Sequence, residues 1–222
     1  EAVDAMIAEA WSHGPLTGLV NNAAANFVAP TNALTPNGFR AVTSTVMDGS
    51  FYCTLSVGRR WIEQGLRGSV VSNLVTWVWT GSAFVTPSAM AKSAIHAMTM
   101  SLAVEWARYG IRLNAIAPGP FPTPGAWEKL NPIPETESTA TSDRAVPLGR
   151  FGEMHELSNL HVFLMSDACD YLTGQTIALD GAQHLAGPGT FADLLRLSDD
   201  DWARVRKVLA ASREKSRANQ SE

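Results

Sequence analysis

The stretch GSVVSNLVTW, residues 68–77, is a Val-rich run typical of a strand that is covered on both faces of a sheet. PSAMAKSAIHAMTMSLAVEWARYG follows at 87–110, and its pattern predicts a helix that ends at Gly110. IRLNAIAPG, at 111–119, is a second apolar strand. Because strand, helix and strand succeed one another, this segment predicts a right-handed crossover between two parallel strands.

The same alternation continues in both directions along the chain. LTGLVNNAA (16–24) and GQTIALDG (174–181) read as further short strands, and helices are predicted over 35–65 and 153–167. The expected end signals of the 35–65 helix are Thr35 as N-cap, Pro36 at the first helical position and Gly65 at the end. This order predicts an α/β fold with a doubly wound, Rossmann-like parallel sheet.

The composition suits one globular domain. The chain has 222 residues, 45% of them hydrophobic and 17% charged, which predicts a single domain over 1–222. Within it, a proline-rich stretch at about 118–145 predicts a lid loop, because loops of that length are usually functional. Ser198 and Asp201 form a capping-box pattern that predicts a tail helix over about 198–215.

Charge and residue usage exclude several kinds of partner. The net charge of −4 argues against binding to nucleic acid or to an anionic membrane, and no apolar run has the length of a membrane span. The five histidines lack metal-ligand spacing, so no metal site is expected. Cys53 and Cys169 have no motif spacing, which favours free thiols in a reducing compartment and a cytoplasmic location.

The carboxyl ends of the predicted strands are where a ligand is expected. In doubly wound sheets the ligand lies in a crevice outside these ends. Polar or otherwise unusual residues stand there, at Asn21–Asn22, Trp77, Pro118–Gly119 and Asp180–Gly181. The sequence therefore predicts one functional crevice at this edge.

Several motifs resemble those of the short-chain dehydrogenase/reductases. They are LVNNAA, PSAMAK, LAVEWARYGIRLNAIAPGP, VPLGRFG and YLTGQTIALDG, in an order and spacing that cover nearly the whole chain. Within that superfamily the chain is most similar to the 2,4-dienoyl-CoA reductases. The motifs of that similarity are NNAAANFVAPTNAL, a Ser-x-x-x-Lys helix at 88–92, APGPFPTPGA and the tail TFADLLRLSDDDW.

The resemblance implies a cofactor and a reaction. It implies an NADP(H)-dependent oxidoreductase, with NAD(H) still open, that reduces an enoyl- or 2,4-dienoyl-CoA thioester by hydride transfer in fatty acid metabolism. It also implies a homo-oligomer, often a homotetramer in this superfamily. No Gly-x-x-x-Gly-x-Gly follows a strand in this sequence. The family's glycine-rich turn, with roughly the first three strands of its sheet, is therefore expected to be missing here.

The resemblance assigns four candidate catalytic residues. Lys92 is expected to bond the nicotinamide ribose and to place a cation near the reacting oxygen. Ser88 stands where the superfamily usually has Tyr; its hydroxyl can donate to a substrate carbonyl, or it can merely cap the helix. Trp77 stands at a second position, where dienoyl-CoA reductases carry a Tyr. Its indole N–H can donate a hydrogen bond, but it cannot transfer its proton to the substrate. Asp48 replaces an Asn: ionised it would repel an enolate, whereas protonated it could donate to one.

Further positions are assigned to the binding of the cofactor and the substrate. The expected cofactor-binding residues are Asn21, Ala23, Lys92, Pro118, Gly119 and Phe121. Phe27 and Gly49 are expected to line an acyl channel, although a plain core role suits Phe27 equally. Lys129, in the predicted lid, matches a basic residue that meets the CoA phosphates, and the alternative is a solvated loop charge.

Two other functions remain open from the sequence. The chain can be another short-chain dehydrogenase that acts on carbonyl or hydroxyl groups. It can also be a catalytically inactive, cofactor-binding homologue, which the replacement of the catalytic Tyr by Ser88 and Trp77 favours. An enolate is easier to protonate than an alkoxide, and this difference favours the enoyl substrate over a ketone.

Overall fold

A parallel sheet forms the centre of the protein. The computed structural model describes residues 1–123, 145–187, 198–201, 203, 204 and 207. Within these residues four strands pair in the order β1-β2-β3-β4, and all pairs are parallel. The strands are β1 (Gly18–Asn21), β2 (Gly68–Asn73), β3 (Ile111–Pro118) and β4 (Thr176–Leu179). The predicted Rossmann-like parallel sheet is confirmed.

Helices connect the strands and cover the sheet. They are α1 (Ala2–Ser12), α2 (Pro36–Thr43), α3 (Gly49–Gln64), α4 (Trp77–Thr80), α5 (Thr86–Trp106), α6 (Met154–Met165) and α7 (Gln183–Ala186). Single 3₁₀ turns lie at Thr31–Ala33, Ala107–Tyr109 and Asp167–Cys169.

Helix ends follow the predicted local signals. The Thr35 hydroxyl accepts a hydrogen bond from the Gly38 amide at 3.0 Å, and Pro36 is the first residue of α2. Gly65 ends α3 with a φ of 65°, and Gly110 ends the turn after α5 with a φ of 72°. Side chains with a Cβ rarely adopt this left-handed conformation, so glycine is the favoured residue at both ends.

Two predicted elements differ from the structure. The helix predicted over 35–65 is interrupted by a π turn, Ser44–Asp48, between α2 and α3. The strand predicted over 68–77 ends at Asn73, and Trp77 instead begins the one-turn helix α4. The apolar pattern continues past Asn73, but pairing with β1 stops at Ser72 and pairing with β3 stops at Asn73, although β3 itself continues to Pro118.

Alternate residues of the central strands enter different parts of the core. Val70 packs with Trp61, Leu113 and the helices α1, α3 and α5. Its neighbour Val71 packs with Leu164 of α6. Burying each such side chain contributes about 1.5–3 kcal/mol to folding. Both faces of the sheet are therefore covered, and β2 and β3 are buried along almost their whole length.

A buried arginine joins the amino end of β3 to the segment that follows α6. Arg112 is 7% exposed, and its guanidinium donates to the carbonyl oxygens of Leu164 and Ser166, both at 3.0 Å. Its Nε lies 3.5 Å from a carboxylate oxygen of Asp170. The hydrogen bonds satisfy a buried cation at the end of the sheet opposite the carboxyl ends of the strands.

The chain divides into two units, residues 1–184 and 185–222. The first unit contains the sheet and α1 to α6. In the second, the Ser198 hydroxyl accepts from the Asp201 amide and the Asp201 carboxylate accepts from the Ser198 amide, both at 3.2 Å, and Asp201 and Arg204 are helical. The predicted capping box is present. The predicted lid at about 118–145 lies mostly outside the described residues.

The close approach of α3 to α5 gives a test of the core. A Cβ added at Gly58 would lie 2.4 Å from the Trp106 ring, whereas one at Gly49 would lie 3.6 Å from the nearest atom. We expect Gly58→Ala to lower the free energy of unfolding by about 1–3 kcal/mol, because the helices must separate. Gly49→Ala is the matched control on the same helix and is expected to be neutral or stabilising. Urea denaturation measures both, and equal effects would contradict the prediction.

Candidate active site

The side chain of Lys92 lies buried beside the carboxyl end of β2. It is 7% exposed, and its ammonium donates a hydrogen bond to the backbone carbonyl of Asn73. Burial lowers the pKa of Lys92 from 10.5 to about 8, because the charged form has lost most of its water. The sequence prediction of an inward-facing lysine at this edge agrees with this geometry.

Asparagines at the ends of β1 and β2 form a polar group next to Lys92. Asn73 Nδ2 donates to Asn22 Oδ1 at 2.6 Å, and Asn73 Oδ1 is buried without a hydrogen-bond partner among the residues that the structure describes. Asn21 is buried, and its amide donates to Thr54 at 2.9 Å and to Ser72 at 3.2 Å. Asn21 therefore holds β1 to its neighbours, while the buried Asn73 Oδ1 is a polar atom that calls for an explanation, since buried acceptors are usually hydrogen-bonded.

Sequence reasoning identified Asn21 and Asn22 but missed Asn73. Its signal was present, since Asn73 is the first amide side chain after the apolar run that begins at Gly68. Ala23, the next predicted cofactor contact, is exposed and therefore accessible at this edge.

Asp48 and Gly49 lie where the π turn meets α3. Both are half-buried, and Asp48 is the last residue of the turn. The turn packs against α5, with Val46 and Ala91 in one buried cluster. Because Ala91 precedes Lys92, this packing brings the Asp48 segment to the same part of α5. Such widened helical turns occur frequently at functional sites.

Ser88 and Lys92 are both buried and lie one helical turn apart on α5. The helix begins at Thr86, so Ser88 is its third residue and not its N-cap. The backbone amide of Ser88 donates to the Val85 carbonyl at 3.0 Å. This position excludes the alternative in which Ser88 is merely the helix cap.

Trp77, the first residue of α4, lies beside α5. It is half-buried and lines a groove of about 540 Å³ with Ala89 and Met90 of α5 and with Gly81. The Trp77 indole stands at the position where the resemblance to dienoyl-CoA reductases predicts a Tyr. The groove is apolar on most of its surface, which suits contact with a hydrocarbon chain.

The turn at Pro118–Pro120 is shaped by β4. A Cβ at Gly119 would lie 2.6 Å from the Asp180 Cβ, so only glycine fits there. The Gly119 amide donates to the Leu179 carbonyl at 3.0 Å. Contact with Asp180 thus explains this glycine without a bound ligand.

Three candidates remain, of which two have structural contacts of their own and one lies outside the described residues. The ring of Phe121 lies against Gly152, where a Cβ would approach it to 2.3 Å. Phe27 is partly buried against the cluster that contains Val46 and Leu74, which is the core role. Lys129 lies outside the described residues.

The comparisons with known proteins agree on one family. Residues 1–184 match the family model described as enoyl-(acyl carrier protein) reductase. A probable 2,4-dienoyl-CoA reductase of Bacillus subtilis, which produces (2E)-enoyl-CoA, is 43% identical over 83% of this chain and 72% of its own length. A probable 2,4-dienoyl-CoA reductase 3 of Caenorhabditis elegans, which produces (3E)-enoyl-CoA, is 37% identical over 86% of this chain and 62% of its own length.

A solved structure shows the same fold. The gluconate 5-dehydrogenase of Burkholderia cenocepacia, crystallised with NADP and tartrate, is 32% identical with a TM-score of 0.73. The alignment covers 82% of this chain and 70% of that one. The chain belongs to the short-chain dehydrogenase/reductase family, whose members are oxidoreductases. Of the helices that the structure describes, none combines the length and hydrophobicity needed to cross a lipid bilayer.

The burial of Lys92 predicts a pH dependence of stability. Below about pH 8 the lysine is charged in the folded and the unfolded state, and folding carries the cost of burying the charge. Between about pH 8 and 10.5 the folded state holds fewer protons, so the free energy of unfolding rises with pH. We expect wild type to gain about 2 kcal/mol relative to Lys92→Met between pH 7 and 9.5.

Urea denaturation at the two pH values measures this difference. Lys207→Met, at an exposed position, is the control and should follow the pH dependence of wild type. A difference between wild type and Lys92→Met that does not change with pH would show that the ammonium is hydrated.

Proposed function

We propose that this protein is an NADP(H)-dependent reductase of enoyl- or 2,4-dienoyl-CoA thioesters. The observation that carries the proposal is the buried Lys92 ammonium at the carboxyl end of β2, beside the unpartnered acceptor Asn73 Oδ1. A nicotinamide nucleotide suits the chemistry of this lysine, because its ribose hydroxyls can accept hydrogen bonds from the ammonium. The similarity to two dienoyl-CoA reductases and the NADP complex of a structural relative support the choice.

The residues have complementary tasks in this reaction. When bound, the reduced nicotinamide supplies a hydride to the conjugated thioester. Lys92 binds the ribose and places positive charge near the thioester oxygen, where negative charge develops. Ser88 and the Trp77 indole donate hydrogen bonds to that oxygen. Asp48 or a water molecule delivers the proton to carbon, and the missing Tyr slows this step less than it would slow ketone reduction because an enolate is easier to protonate than an alkoxide.

The assignments beyond Lys92 extend the same proposal. The backbone at Asn21 and Ala23 meets the adenosine side of the cofactor, and the turn at Pro118–Gly119, with Phe121 beyond it, meets the nicotinamide. The apolar groove beside Trp77 takes part of the acyl chain. Gly49 and Phe27 line the channel from the other side, and Lys129 meets the CoA phosphates.

A second copy of the chain is the proposed protein partner. On α5, Met100 and Val104 are 44% and 82% exposed, and on α3 Phe51 and Tyr52 are 44% and 53% exposed. Apolar helix faces of this kind are usually covered by another subunit. We propose a homo-oligomer that buries these faces, up to the tetramer common in the superfamily; sedimentation velocity measures the number of copies.

A single Rossmann-type domain and a cytoplasmic location remain proposals from the sequence.

The assay that tests the function compares substrates. We expect NADPH to be oxidised with 2,4-dienoyl-CoA and not with simple ketones or secondary alcohols, and NADH to support a lower rate. Turnover of ketones alone would favour a dehydrogenase of carbonyl or hydroxyl groups, as the gluconate 5-dehydrogenase relative suggests. Binding of NADPH, measured by calorimetry, without turnover of any acyl-CoA would favour an inactive homologue.

Trp77 gives a sharper test of the same site. We expect Trp77→Tyr to raise kcat on 2,4-dienoyl-CoA by about 100-fold or more, because a phenol can act as a general acid where an indole cannot. Trp77→Phe is the matched control, since it keeps an aromatic ring without an acidic proton, and it should not raise kcat. Steady-state kinetics measures both variants, and equal rates would remove Trp77 from the reaction centre.

A further inference from the structure

The helix α4 carries two indoles that contact different parts of the protein. Trp77, its first residue, faces Ala89 and Met90 of α5 across the groove. Trp79 instead contacts the rings of His96 and His184. The backbone hydrogen bonds of α4 are local, from Trp79 to Thr76 at 3.2 Å and from Gly81 to Trp77 at 2.8 Å. A single turn with only local bonds does not fix its own position, so side-chain contacts must hold it.

His184 is held firmly by Asp180. Its ring Nδ1 and its backbone amide donate to the same carboxylate oxygen of Asp180, at 2.6 and 2.8 Å. The other carboxylate oxygen accepts from the amide of Ala182 at 3.0 Å, and Ala182 has a φ of 69°. The Asp180 side chain is 3% exposed and that of His184 is 18% exposed. A buried carboxylate with these bonds fixes the orientation of an imidazole ring.

Trp79 lies against this fixed ring. The ring centroids of Trp79 and His184 are 5.0 Å apart, with planes tilted by 31°. On another side, His96 meets Trp79 edge-on at 6.3 Å, and His96 is itself hydrogen-bonded to Thr176 at 2.9 Å. Both imidazoles are therefore tied to β4, one at its start and one just beyond its end.

We infer that His184, oriented by Asp180, is a positioning residue that holds α4 through Trp79 and thereby sets the place of Trp77. The functional half of this inference rests on the proposed reductase activity. Asp180 also shapes the turn at Gly119, which the proposal places at the nicotinamide. Asp180, just beyond the end of β4, thus contributes to the positions of two segments near the proposed substrate site, α4 and the turn at Gly119.

Tryptophan fluorescence tests the contact without any substrate. A protonated imidazole in contact with an indole quenches its emission, so at about pH 5, where an ordinary imidazole is protonated, His184→Ala should raise the emission of the full chain. In a Trp79→Phe background the same substitution should have no effect, which isolates one of the seven tryptophans. The control is His155→Ala, at a histidine whose side chain is 67% exposed on α6. A rise of equal size in both backgrounds would overturn the contact.

Kinetics tests the positioning role. We expect His184→Ala to lower kcat on 2,4-dienoyl-CoA by about tenfold, since small displacements of a site group are costly. His184→Phe, which keeps a ring against Trp79, should restore most of the rate, and His155→Ala should match wild type. The effects of His184→Ala and Trp79→Ala should not add in the double variant, because they break one contact. Wild-type kcat in both His184 variants would overturn the role.

Two further outcomes keep the inference separate from the proposed function. If wild type reduces no acyl-CoA, the proposed function fails while the fluorescence difference still decides the contact. If His184→Ala does not fold, His184→Asn replaces it, because its amide can still donate to Asp180 and lacks the stacking ring. His184→Asn should then show the increased emission and the lowered kcat, and wild-type values would overturn the inference.

Discussion

The hydrogen bond from the Lys92 ammonium to the Asn73 carbonyl is the interaction on which the site depends. It ties α5 to the end of β2, and it requires the strand to stop where a backbone oxygen is free to accept. The ammonium has lost most of its water, and one carbonyl offsets only part of that cost. A cation in this state gains more from a bound ligand than a solvated lysine would, since the ligand replaces missing water.

The fold and part of the candidate site could be predicted from the sequence, because the signals that determine them are local. Caps act within one turn, so Thr35 and Gly65 mark their helix ends without help from the rest of the chain. The four parallel strands follow from apolar runs that only a sheet covered on both faces can bury. Lys92 was predictable because its motif places it on a helix that follows a buried strand.

Other features depend on contacts between distant segments. The π turn at Ser44–Asp48 has residues that an ordinary helix also accepts, so nothing local distinguishes it. β2 ends at Asn73 although apolar residues follow it, and that continued apolar pattern led the sequence prediction to place Trp77 on the strand. The contact of Trp79 with His184 joins the segment after β2 to the segment after β4, and only the spacing of Asp180 and His184 indicated it. Tertiary packing decided each of these.

The buried guanidinium of Arg112 has a consequence for how such a protein can diversify. It secures the segment after α6 at the amino end of the sheet, far from the strand ends that carry the candidate chemistry. Substitutions among the loops at the reactive rim therefore leave that anchorage untouched. Substrate preference can therefore change during evolution without a loss of stability, because the loops that determine it lie at the opposite end of the sheet from Arg112.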